Sequence, residues 1–128
     1  MLNDGGAPLV LVVEDNHANL ILVQAVLRRA GFRVEAARDA EEATARLAAN
    51  RPDLILMDIQ LPGRDGLTLT RDIKGNPETA SIPIIALTAH AMKEDRERAL
   101  AAGCDGYIAK PIDTRTLAAD IRSILRPL

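Results

Sequence analysis

Cysteine and aromatic residues are nearly missing from this chain of 128 residues. Cys104 is the lone cysteine, which excludes an internal disulfide framework and a multi-cysteine metal site and suits a reducing, cytoplasmic setting. Phe32 and Tyr107 are the only aromatics and tryptophan is absent, so surfaces for stacking a flat ligand or a nucleobase are scarce. An excess of one charge is lacking too. Sixteen Lys+Arg against eighteen Asp+Glu leave a net charge of −2, so no direct nucleic-acid partner is expected. Apolar runs fall far short of the ~20 residues that cross a bilayer. The N-terminus has no basic region followed by an apolar one, so neither a membrane partner nor a secretory signal is expected.

What is present alternates two patterns after residues 1–8, which are polar and Gly-containing and are expected to form a flexible leader. Short apolar runs at Leu9–Val13, Val34–Ala37, Leu54–Met57, Ile84–Leu87 and Tyr107–Ala109 suit strands buried on both faces. Between them lie segments with helical spacing. The first carries a stripe of Asn19, Leu22, Val23, Val26, Leu27 and Ala30 and ends at Gly31. Others are predicted over Asp39–Ala49, Asp65–Lys74 and Met92–Ala102. A last helix is expected to start at Asp113 as N-cap and to bury Leu117, Ile121, Ile124 and Leu125. Five strands alternating with five helices give an α/β fold, (βα)5, with one parallel sheet covered on both faces. A single domain is expected over residues 9–128.

In open α/β sheets the ligand site lies outside the carboxyl ends of the strands. The residues that follow the apolar runs are Glu14 and Asp15, then Asp58, Thr88, and Lys110 before Pro111. Taken singly, each suits a solvated strand end. Taken jointly they gather three carboxylates, whose mutual repulsion calls for a cation. Mg²⁺ meets that need with oxygen ligands and accepts phosphate oxygens as well. Lys110 adds a fixed positive charge, and the Thr88 hydroxyl is a hydrogen-bond donor. That set suits a phosphoryl group on Asp58 acting as nucleophile.

The segments Val12-Val13-Glu14-Asp15-Asn16, Leu56-Met57-Asp58-Ile59-Gln60-Leu61-Pro62, Ala86-Leu87-Thr88-Ala89 and Tyr107-Ile108-Ala109-Lys110-Pro111 carry a family resemblance. Together they resemble the receiver domain of two-component response regulators (the CheY-like superfamily) over about residues 8–126. The resemblance implies a flavodoxin-like sheet of order 2-1-3-4-5. It implies that Asp58 accepts a phosphoryl group from a histidine kinase or a histidine phosphotransfer protein. It further implies Mg²⁺ ligands at Asp15, Asp58 and the Gln60 backbone carbonyl, with Glu14 holding a metal-bound water. Thr88 and Tyr107 match the switch pair, Lys110 matches the phosphate-pairing lysine, and Lys110-Pro111 matches a cis peptide. Gln60 and His90 fall at positions that tune access of water to the acyl phosphate. His17 reads as a neighbour of a helix cap and Cys104 as a packed thiol.

A phosphoryl group on Asp58 is expected to draw in Thr88, let Tyr107 fill the vacated space, and change the face of the fourth helix, fifth strand and fifth helix. Leu20 and Ile21 on the flank of the first helix are a candidate docking pair for the kinase. In wording the chain is similar to stand-alone receivers of the DivK kind and to receivers of hybrid sensor kinases. It therefore reads as a signalling phosphoacceptor that controls a protein target, with a relay receiver of a hybrid kinase as the alternative. A haloacid-dehalogenase-type phosphatase is a remote one, since it needs an acid where Gln60 stands. A flavodoxin-like FMN carrier would need a hydroxyl- and Gly-rich loop where Glu14-Asp15-Asn16-His17 stand.

Overall fold

Runs of Val, Ile and Leu bury both faces of a strand, and a parallel sheet supplies two faces to cover. In the computed structural model, which describes residues 7–61, 65–89 and 93–125, the strands are β1 (Leu9–Val13), β2 (Arg33–Ala37), β3 (Leu54–Asp58), β4 (Ile84–Thr88) and β5 (Gly106–Ala109). They form one parallel sheet in the order β2-β1-β3-β4-β5. The central strands β1, β3 and β4 are buried at every position, and the edges β2 and β5 only in part. The helices are α1 (His17–Arg29), α2 (Ala40–Ala49), α3 (Gly66–Gly75), α4 (Lys93–Ala102) and α5 (Leu117–Leu125).

The two-residue period of the strands divides the core. Leu11, Val13, Ile55, Met57, Ile84 and Ala86 face one side, packed with Ala43 of α2, Leu69 and Ile73 of α3, and Ala99 and Ala102 of α4. Val10, Val12, Leu54, Leu56, Ile85 and Leu87 face the other, packed with Leu20, Val23 and Leu27 of α1 and Leu117 and Ile121 of α5. Asn16, Asp39 and Asp65 cap α1, α2 and α3, each accepting from the N–H three residues on. Gly31 and Gly103 follow α1 and α4 with φ of 98° and 111°, the left-handed geometry that ends a helix. At the opposite end of the sheet, the Lys74 ammonium donates to the Ala80 and Ile82 carbonyls and to Asp105, tying α3 to the starts of β4 and β5.

Three expectations need correction. In α1 the buried stripe is Leu20, Val23 and Leu27, whereas Ile21 and Leu22 are 51% and 41% exposed. The Asn16 cap and the short link from β1 set the helix phase, which turns Leu20 inward and Leu22 outward. The α5 helix starts at Leu117 rather than beside Asp113. Asp113 instead closes the preceding turn: its carbonyl accepts from the N–H groups of Thr116 and Leu117, and its side chain from that of Arg115. Ile124 and Leu125 are only partly buried. Finally, β3 and β4 each run one residue further than the apolar runs, so Asp58 and Thr88 are their last residues, paired with Leu87 and Ala109. Residues 1–6 of the expected leader, His90, and Met92 at the expected start of the fourth helix lie outside the described residues. Ala7 and Pro8 accept hydrogen bonds from Arg33.

Candidate functional site

Parallel register brings the carboxyl ends of the strands to one rim. Val13 pairs with Met57, Asp58 with Leu87, and Thr88 with Ala109. Glu14, Asp15, Asp58, Thr88 and Lys110 therefore arrive side by side from β1, β3, β4 and β5. Glu14, Asp58 and Thr88 are buried, while Asp15 is exposed. One carboxylate oxygen from each of Glu14, Asp15 and Asp58 lies within 4.8 Å of the others.

Lys110 answers this negative charge. Its Nζ lies 2.8 Å from Glu14 Oε1 and 3.3 Å from Asp58 Oδ2, and it donates to the latter. The other Asp58 oxygen accepts from the Gln60 N–H at 2.9 Å, and Glu14 Oε2 accepts from the Asn16 N–H at 3.1 Å. Glu14 Oε1 is close to the ammonium but has no directed hydrogen bond among the described residues. Burial pushes the Asp58 carboxyl up to about 6. The Glu14 side chain adds to that rise, and the Gln60 N–H and Lys110 oppose it. Burial works against the charge of Lys110, but Glu14 and Asp58 outweigh it and hold its pKa above the ordinary lysine value. A buried carboxylate oxygen without a directed donor, beside two more carboxylates, fits a small divalent cation with oxygen ligands.

The other expected residues fall into place differently. The structure shows Gln60 contacting Asp58 through its N–H. His17 is exposed at the start of α1 and stands outside the carboxylate group. Cys104 is packed in the core, 4.0 Å from the Thr70 hydroxyl, and burial raises its thiol pKa. The Lys110-Pro111 peptide is cis. Tyr107 lies at the surface, where its hydroxyl accepts from Arg96 of α4.

Gly66 and Arg96 are site-related residues that the sequence reading passed over. A Cβ at Gly66 would stand 2.2 Å from the Asp58 carbonyl oxygen and 2.7 Å from Ile59 Cα. The Gly66 N–H also donates to the Ile59 carbonyl. The first residue of α3 thus rests directly on the backbone of the candidate nucleophile. A glycine just inside a capped helix, where propensity argues against it, was the available signal.

A buried acidic group ion-paired to a lysine at the carboxyl edge of a 2-1-3-4-5 sheet defines a class of protein. The response regulator receiver domain family matches residues 10–122. The polar-differentiation response regulator DivK of Brucella anthropi is 43% identical over 116 residues, spanning 91% of this chain and 94% of that protein. The phosphate regulon transcriptional regulatory protein PhoB of Rhizobium meliloti is 40% identical over 93% of this chain but only 52% of its own length. Among solved structures, the receiver domain of a Pseudomonas aeruginosa sensor histidine kinase, with magnesium coordinated in its active-site cleft, has a TM-score of 0.85 at 39% identity. That match covers 93% of this chain and 98% of that one. The chemotaxis response regulator CheY4 of Vibrio cholerae has a TM-score of 0.87 at 28% identity, covering 92% and 98%. The chain belongs to the response regulator receiver family, a family of signalling phosphoacceptors rather than turnover enzymes. Among the described residues, no helix is long and apolar enough to cross a membrane.

Two outcomes follow from this geometry. Gly66→Ala, a change that normally favours a helix, is expected to lower stability by about 1–3 kcal/mol in urea unfolding, because backbone must move to admit the methyl. Asp58 has a folded pKa near 6, above its ordinary 3.8, so its protonation stabilises the fold fully below about pH 4 and that gain is lost as pH rises through 6. In EDTA, Asp58→Asn should gain on the order of 2 kcal/mol over the native protein between pH 4 and pH 7.5. An unchanged difference across that range would show that burial does not govern this carboxyl.

Proposed function

We propose that Asp58 accepts a phosphoryl group from a phosphohistidine of a histidine kinase or phosphotransfer protein. The carrying observation is the Lys110 ammonium held between Glu14 and Asp58 at the rim of the sheet. A carboxylate oxygen of Asp58 forms the new P–O bond as the donor P–N bond breaks, and the imidazole leaves with the electron pair. Asp15, Asp58 and the Gln60 carbonyl are suited to hold Mg²⁺, with Glu14 positioning a metal-bound water. Bound there, the ion would neutralise developing charge on the phosphoryl oxygens. Lys110 pairs with one of those oxygens, and the Thr88 hydroxyl donates to another. Domain boundaries follow the same reading, with residues 9–128 as the receiver and 1–8 as a leader.

In this reading Thr88 moves toward the phosphoryl group and Tyr107 takes the space it leaves. The α4–β5–α5 face then changes shape for a downstream protein target. The likeness to DivK over nearly that protein's whole length supports a DivK-like regulator, and the likeness to the receiver of a sensor kinase keeps a hybrid-kinase relay receiver as the second reading. Ile21 and Leu22, rather than Leu20 and Ile21, are the exposed apolar pair on α1 and the proposed contact for the phosphodonor protein.

Incubation with acetyl phosphate and Mg²⁺ should add one base-labile phosphoryl mass, absent in Asp58→Asn. Lys110→Ala should slow the labelling about a hundredfold. If Asp58→Asn labels like the native protein, the phosphoacceptor assignment fails. Phosphotransfer profiling against a kinase panel checks the docking surface. Ile21→Ala with Leu22→Ala should slow transfer from the cognate kinase about tenfold while labelling by acetyl phosphate stays at the native rate.

A further inference from the structure

Arg96 makes a contact that phosphoryl chemistry alone does not require. The β4–β5 register pairs Tyr107 with Ala86 and Ala109 with Thr88, so the two-residue period puts Tyr107 on the sheet face that Thr88 shares, beneath α4. Tyr107 nevertheless lies at the surface, 36% exposed. There the Arg96 guanidinium donates to its hydroxyl at 2.9 Å and covers its ring at 5.4 Å from the centroid, a cation–π distance. The same arginine leaves its Nε buried with no acceptor among the described residues. A surface arginine has solvated rotamers open to it. Forgoing a partner for a buried N–H has a cost, so the two contacts to Tyr107 must outweigh that loss.

We infer that Arg96 is a positioning residue for the switch, a latch that holds Tyr107 outward and sets how much occupancy of the phosphoryl site is needed to turn it in. The inference rests on the phosphoacceptor role proposed for Asp58. Its logic is that of a two-state equilibrium: a contact made in one state alone shifts the ligand concentration at which the other takes over. The unsatisfied Nε keeps the latch weak, since turning Tyr107 inward frees the guanidinium to reach water.

The composition supplies the probe. Tyr107 is the only tyrosine and there is no tryptophan, so intrinsic tyrosine emission reports on this one side chain. Acrylamide quenching of that emission is followed while beryllofluoride, a phosphoryl mimic, is titrated in the presence of Mg²⁺. The native protein should become protected from quencher as the mimic binds. Arg96→Ala should reach half-protection at about fivefold lower beryllofluoride, and Arg96→Lys, which retains a cation, in between. Arg98→Ala serves as the control for loosening α4, because Arg98 pairs with Asp95 on the same helix, and it should titrate like the native protein. An Arg96→Ala midpoint equal to or above the native one overturns the latch, as does an equal shift in Arg98→Ala. Absence of protection in a native protein that still gains a phosphoryl mass from acetyl phosphate overturns the latch alone. Absence of that mass gain overturns the Asp58 reading, and the latch with it.

Discussion

One ammonium holds the site together. Glu14 and Asp58 are both buried, and two carboxylates taken out of water at close range repel one another unless a cation stands between them. Lys110 is that cation, within 2.8 Å of one and 3.3 Å of the other. It reaches them because β5 runs parallel to β4 with Ala109 level with Thr88, and the Lys110 N–H donates to the Thr88 carbonyl. The electrostatics of the rim therefore depend on strand register. A one-residue slip of β5 would turn the side chain to the other face of the sheet and leave the acids uncompensated.

Compensation is incomplete, and that incompleteness is chemically useful. Among the described residues Glu14 Oε1 has no directed donor, Asp15 faces solvent, and burial still lifts the Asp58 carboxyl to about 6. A site fully satisfied by its own side chains would have little affinity for a metal ion or a phosphoryl group. Here the lysine makes the cluster foldable, and the remaining negative charge gives a divalent cation a reason to bind.

The architecture was legible in the sequence because parallel strands buried on both faces are written as unbroken apolar runs. The rim residues were legible for a related reason: each follows such a run, and strand ends share an edge. Finer features depended on partners distant in the chain. Asp58 and Thr88 count as strand residues only through pairing with Leu87 and Ala109. The helical spacing that places Leu22 inward and Leu20 on the flank is reversed in α1, since both belong to one continuous apolar stretch and only the cap and the sheet choose between them. Arg96 carries no mark in the sequence and Gly66 shows only as an unfavourable residue inside a capped helix, because what matters for each is what it approaches, the Tyr107 ring and the Asp58 carbonyl.

The fit of Gly66 against Asp58 makes the site lopsided. On the α3 side Asp58 leans on a helix end with no room for even one extra carbon, while on the β4–β5 side stand Thr88 and a tyrosine tethered by a single guanidinium. A firm buttress on one flank and a soft one on the other give any local push a preferred direction. A push exerted at the rim would therefore meet less resistance toward α4 than toward α3, and the missing methyl of one glycine is part of the reason.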